Sequence, residues 1–210
     1  MVQSLLHSLA TYWHQLSWLE IIAVITGLLC VYLAAVNNIW NWPIAIISTV
    51  ITVYVMATRA LYADMLQYTY LTGINIYGWY VWGHKSNAED KRPVISISRK
   101  QILWTLGAVI FITPALGFAL ITFADKLHYQ PPAFPYLDSF CTVVSLAAQI
   151  LMARKVLENW LIWVFVDIIY VIIYSIKDLE AYAFMFVIYI IIAVIGYFDW
   201  RKVLRTQLQS

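Results

Sequence analysis

The chain has 210 residues, of which 63% are hydrophobic, 16% aromatic and only 11% charged, more apolar surface than a soluble core of this size could keep from water. Its formal net charge is only +2, with Lys and Arg dispersed along the chain, and no phosphate-cradling glycine loop is present; nucleic-acid and mononucleotide-fold classes are thereby set aside. What remains is an all-α membrane protein, because a segment immersed in lipid must satisfy its own backbone hydrogen bonds.

In chain order, residues 1–18 set Leu5, Leu6, Leu9, Trp13 and Leu16 against Ser4, His7, Thr11, His14 and Gln15. That pattern predicts an amphipathic helix lying in the membrane interface; with no basic start and no small-residue cleavage site it does not read as a signal peptide. A first group of spans is expected at 20–36, 42–58 and 61–82, with Pro43 suited to a first helical turn. A linker span follows at 101–122, and a second group at 136–153, 160–176 and 180–199. The expected organisation is therefore a three-helix bundle over 19–83, a cytoplasmic loop and linker transmembrane helix over 84–128, a second three-helix bundle over 129–200 and a cytoplasmic tail over 201–210. Cys30 and Cys141 sit inside apolar runs without metal-ligand spacing and read as packing residues.

An external N-terminus puts Lys85, Lys91, Arg92, Arg99, Lys100, Arg154, Lys155, Arg201, Lys202 and Arg205 in the cytoplasm and leaves only Arg59, Lys126 and Lys177 outside. The positive-inside bias thus predicts a periplasmic N-terminus and a cytoplasmic C-terminus. The two halves also share one plan. A constant offset of 118, the separation of Asn41 from Asn159, pairs Trp42 with Trp160, Ile51 with Ile169, Leu61 with Leu179, Gly78 with Gly196 and Trp82 with Trp200 without a gap. Since the linker span restores orientation, the repeats are expected to be parallel, giving three plus one plus three.

In repeat-built carriers the ligand sits between the repeats near mid-membrane, so polar residues on shared helix faces are the candidates. On the third span Asp64, Gln67, Leu71, Asn75 and Gly78 share a face; the two amides suit a hydroxyl-rich or carboxamide-bearing ligand, the plainer reading being hydrogen bonds that hold helices together. On the sixth, Trp160, Trp163, Asp167, Tyr170 and Tyr174 line up, and the offset maps them onto Trp42, Ala45, Thr49, Thr52 and Met56. Indoles attract a planar cation, although Trp near a span end commonly belongs to the interfacial belt. A carboxylate two turns inside a span, as at Asp167, is a candidate counter-ion. Thr142, Ser145 and Gln149 form a lesser polar face on the fifth span. No Ser–His–Asp arrangement or paired carboxylates occur within the spans, and His7, His14, His84 and His128 all fall in loops or interface; neither an enzyme, a metal site nor a cofactor is expected.

Asn38, Ile39, Trp40, Asn41, Trp42 and Pro43, then Leu61 to Asp64, Leu66, Gln67, Tyr77 to Trp79 and Trp82, and later Glu158, Asn159, Trp160 and Trp163, resemble the bacterial nicotinamide riboside transporters of the PnuC family over nearly the whole chain. That family is similar to the SWEET sugar transporters in its three-plus-one-plus-three plan. The resemblance implies facilitated diffusion of nicotinamide riboside by alternating access across the inner membrane, with cytoplasmic phosphorylation trapping it for NAD synthesis. It also implies a homo-oligomer, with a trimer the expected count. Carried onto matching positions, it implies a substrate site of Trp42, Gln67, Asn75 and Trp160, with Asn38, Asn41, Glu158, Trp163 and Asp167 behind them. The relatives that carry thiamine or riboflavin leave those ligands open, as Asp167 leaves open an ion-coupled symporter. With no Lys or Arg cluster facing the cavity, a phosphorylated substrate is expected to be refused.

Overall fold

The computed structural model describes residues 18–58, 62–83, 93–126 and 134–209. The expected interfacial helix, the four histidines and the side chain of Asp64 lie outside these. Among the described residues the chain forms seven helices: α1 (Trp18–Ala35), α2 (Asn41–Thr58), α3 (Tyr62–Gly83), α4 (Arg99–Lys126), α5 (Pro135–Ala153), α6 (Asn159–Ile176) and α7 (Glu180–Gln207). Five of these, α2 and α4 to α7, are long and apolar enough to cross a membrane. The protein is an all-α, multi-pass membrane protein. In α1 the apolar stretch is shorter, Val24–Ala35, and α3 is diluted by Gln67, Thr69, Thr72 and Asn75, polar groups that are tolerated at membrane depth chiefly where other helices or a wet cavity receive them.

Helix α2 packs against α1 and α3, α6 packs against α5 and α7, and α4 lies against α5. Two seams join the halves, α3 with α5 and α1 with α7. Gly117 of α4 lets the Tyr136 ring of α5 lie directly on the backbone, where a side chain would collide.

Residues separated by 118 repeat the same local structure. After α1 the N–H of Asn38 donates to the Leu33 carbonyl at 2.8 Å and that of Asn37 to Ala34 at 3.0 Å; after α5 the N–H of Val156 donates to Leu151 at 3.0 Å and that of Lys155 to Met152 at 2.9 Å. Each pair closes a helix C-terminus through a left-handed residue, Asn37 (φ 55°) and Lys155 (φ 56°). Asn reaches that region readily; lysine pays more for it. Its ammonium is in turn placed 4.3 Å from the Trp82 ring centre, a cation–π contact inside the core. The next helix begins the same way twice, with Asn41 Nδ2 donating to the Asn38 carbonyl and Asn159 Nδ2 to that of Val156, both at 2.6 Å.

One feature has no counterpart in the described part of the first half. Residues 93–98, ahead of α4, run alongside the α5–α6 turn: the Ile95 N–H donates to Lys155 O at 2.9 Å, the Leu157 N–H to Ile95 O at 2.8 Å, and the Ile97 N–H to Glu158 Oε2 at 2.7 Å. Val94 is buried there in the main core.

Candidate functional site

At the end of the molecule that carries the α1–α2 and α5–α6 turns, four indoles form a continuous row. Trp42 meets Trp82 edge to face (centroids 5.4 Å, 82°), Trp82 meets Trp200 at 5.8 Å, and Trp200 meets Trp160 edge to face (5.5 Å, 89°). Trp42, Trp160 and Trp200 are fully buried. Trp82 Nε1 donates to Ala153 O at 3.1 Å, and Trp200 Nε1 donates to Ala34 O at 3.0 Å. Each half thus sends one indole across a seam to the end of the other half's first helix. By contrast, the buried Nε1 atoms of Trp42, Trp160 and Trp163 have no partner among the described residues, donors whose desolvation typically costs about 1–3 kcal/mol when nothing accepts them.

What lets Trp42 and Trp160 lie so deep is glycine on the facing helix. Gly78 of α3 sits against the six-membered ring of Trp42, and Gly196 of α7 against the indole of Trp160; at either place a Cβ would collide.

One turn away from this layer the two halves stop matching. On α3, Asn75 is 3% exposed and its Oδ1 accepts a 2.9 Å hydrogen bond from Gln149 Nε2 of α5, across the seam. Thr72 Oγ1 donates to Thr49 Oγ1 at 2.9 Å, joining α3 to α2. The offset of 118 places Asp167 where Thr49 stands and Ile190 where Thr72 stands; a hydroxyl pair in the first half becomes a carboxyl beside an alkyl chain in the second. Asp167 is 4% exposed. Farther along α6, Tyr170 and Tyr174 stack with Phe186 and Tyr182 of α7: Tyr170–Phe186 at 4.7 Å, Tyr174–Tyr182 at 5.3 Å and Tyr174–Phe186 at 5.5 Å, with interplanar angles of 27°, 20° and 13°.

The sequence candidates therefore fall into groups. Trp42 and Trp160 form the indole layer with Trp163 packed against it; Asn75 and Asp167 belong to the buried polar level beyond it. Gln67 is exposed and lies about three turns before Gly78, within about 20° of it around the α3 axis. Asn38, Asn41 and Glu158 stand apart, since their side chains hold the two turns: Asn38 Oδ1 accepts from the Trp40 N–H at 3.0 Å, and the Asn41 and Glu158 bonds are those given above. Gln149, expected only as part of a lesser polar face, is the partner of Asn75; the residues left out are Tyr182 and Phe186 opposite the α6 ladder. Their signal was present: Tyr182, Phe186 and Tyr189 recur at helical spacing on α7. Among the described residues no group of three or more His, Cys, Asp or Glu could hold a metal ion.

The profile of the nicotinamide mononucleotide transporters matches residues 17–202. The chain belongs to this transporter family. Among curated proteins it is similar to the nicotinamide riboside transporter PnuC of Escherichia coli K12, with 33% identity over 207 residues covering 89% of this chain and 86% of that protein. The PnuC of Neisseria mucosa is 27% identical, covering 90% of this chain and 74% of its own length. The riboflavin/roseoflavin transporter RibM of Streptomyces davaonensis is 22% identical, covering 87% and 84%. A crystal structure of the vitamin B3 transporter PnuC superposes with a TM-score of 0.68 at 25% identity, spanning 98% of this chain and 90% of that one. Like these relatives, the chain is a transporter and not an enzyme.

Proposed function

We propose that this chain takes up nicotinamide riboside across the bacterial inner membrane by facilitated diffusion, two three-helix bundles rocking about a central site while α4 links them. Ten of the thirteen basic residues then lie in the cytoplasm, the N-terminus in the periplasm, and phosphorylation after entry holds the inward gradient for NAD synthesis. Assembly as a homo-oligomer is part of the same reading.

The observation that carries it is the mismatch of the two halves one turn from the indole layer. Amide and hydroxyl groups gather at Asn75, Gln149, Thr49 and Thr72, while a buried carboxyl and stacked rings gather at Asp167, Tyr170 and Phe186. A riboside with a cationic ring, a carboxamide and hydroxyls has one complement for each. Every described Lys and Arg lies in a turn or near a helix end, which supports refusal of a phosphate.

Counterflow in liposomes tests the reading. Labelled nicotinamide riboside should exchange unchanged, with the mononucleotide, thiamine and riboflavin competing poorly. Entry of the mononucleotide at the rate of the riboside would sink the selectivity argument, and preferred exchange of riboflavin would move the chain toward its RibM relative.

A further inference from the structure

We propose that Gln149 is a specificity-determining residue: it presets the amide of Asn75, and the two together read the primary carboxamide of the substrate. The inference rests on the riboside reading above and assigns one part of that ligand to one pair of side chains.

The 2.9 Å bond from Gln149 Nε2 to Asn75 Oδ1 fixes which way each amide faces. With one Asn75 Oδ1 lone pair taken by Gln149, the donor that Asn75 keeps for a ligand is Nδ2–H. With one Nε2–H spent on Asn75, the acceptor that Gln149 keeps is Oε1. A donor beside an acceptor is the complement of –CONH2, whose carbonyl accepts and whose NH2 donates. A carboxylate in the same place would receive the Asn75 N–H but set its second oxygen against Gln149 Oε1, two acceptors with no proton between them. The pair is buried at Asn75, where an unmatched polar contact is costly.

The plainer account is that the amides hold α3 to α5. The molecule carries its own control for that account. The offset of 118 turns the α3–α5 seam into the α7–α1 seam, placing Ala193 at the position of Asn75 and Val31 at the position of Gln149. Ala193 is 2% exposed and Val31 packs against the same core cluster. One seam of this design therefore closes with a methyl and an isopropyl group, and a polar clasp is not what the geometry requires. The amide pair sits in only one of two equivalent places, as expected of groups facing an asymmetric ligand.

The test uses the full chain in liposomes, with labelled nicotinamide riboside as the transported probe and the riboside of nicotinic acid, which has a carboxylate in place of the carboxamide, as competitor. In the wild type the carboxylate riboside should compete about tenfold or more less well, the scale of one buried hydrogen bond. Gln149→Leu, which copies the apolar seam, should raise KM for the riboside about tenfold, leave the maximal rate within about twofold, and bring the two ribosides to near-equal competition. Gln149→Met, closer in shape, is read the same way if the leucine variant does not fold. Retention of the wild-type preference in a folded variant would overturn the proposal, as would equal loss of rate for both ribosides. Failure of the wild type to exchange nicotinamide riboside would instead overturn the function on which it rests.

Discussion

A Cβ placed on Gly196 would stand 2.8 Å from the Trp160 indole, and the pair is repeated 118 residues earlier as Gly78 and Trp42. Each tryptophan lies in the first turn of its helix and faces a glycine about four and a half turns into the helix after it, so the contact pins the start of one helix to the body of the next. Flat indole on bare backbone is possible only without a side chain there.

Gly78→Ala and Gly196→Ala should therefore cost about 1–3 kcal/mol each, since the displaced ring is wedged among other indoles and overpacking has no outlet. Gly73→Ala and Gly107→Ala are the controls, because a Cβ at either meets nothing within 4 Å; they should be neutral or mildly stabilising, as helical Gly→Ala is worth roughly 0.5–1 kcal/mol. Thermal unfolding of the detergent-solubilised protein separates the two classes. Equal melting shifts for all four would show that the indole layer is looser than its packing indicates.

Gln67→Ala should behave in the opposite way to a change in that layer. Gln67 is exposed on α3, so truncation leaves the melting temperature unchanged. If its amide faces the substrate path, calorimetric titration with nicotinamide riboside should show affinity lowered by about 1 kcal/mol. Trp160→Ala should lower both quantities together, because a buried indole is removed along with any contact it makes.

Helix positions were legible in the sequence because lipid demands long apolar runs, and the expected spans match the observed helices to within a few residues at most ends. The exception is α7, expected to stop at 199 but continuing through Arg201, Lys202 and Arg205 to Gln207; hydropathy marks where lipid ends, not where the helix does. The repeat was legible for the same reason that it is structural, since Asn41, Trp42 and Gly78 recur at positions that must build the same turn. Which tryptophans would touch was not. Helical spacing puts Trp160, Trp163 and Asp167 on one face, yet Trp160 turns to Trp200 and Gly196 on α7. Nor does periodicity within single helices pair Asn75 with Gln149, two groups 74 residues apart.

Glu158 offers a test of a different kind. Its Oε2 accepts the Ile97 N–H at 2.7 Å, tying the segment before α4 to the α5–α6 turn. In Glu158→Ala the Ile97 amide should exchange with solvent about tenfold faster, the loss of one hydrogen bond of about 1–1.5 kcal/mol, while Glu158→Gln keeps an acceptor and most of the protection. A direct role in holding substrate would appear instead as weaker riboside binding with unchanged exchange at Ile97.

Asp167 is where substrate recognition and ion coupling make opposite demands. It is 4% exposed and stands at the position of Thr49 in the other half, so the repeat itself does not require a carboxyl there. As counter-ion to a pyridinium it would contribute a charge-assisted contact, and Asp167→Asn should then weaken riboside binding by about 1.5–3 kcal/mol, roughly tenfold or more. The reduced riboside, whose dihydropyridine ring is uncharged, should bind the two proteins alike; that comparison separates lost charge pairing from lost shape. Under facilitated diffusion a protonophore or a sodium ionophore leaves net uptake unchanged in both proteins. Under symport, wild-type uptake would collapse with the gradient while the asparagine variant continued only to exchange riboside for riboside. Equal ionophore insensitivity, together with a selective loss for the charged riboside, would assign the carboxyl to the ligand.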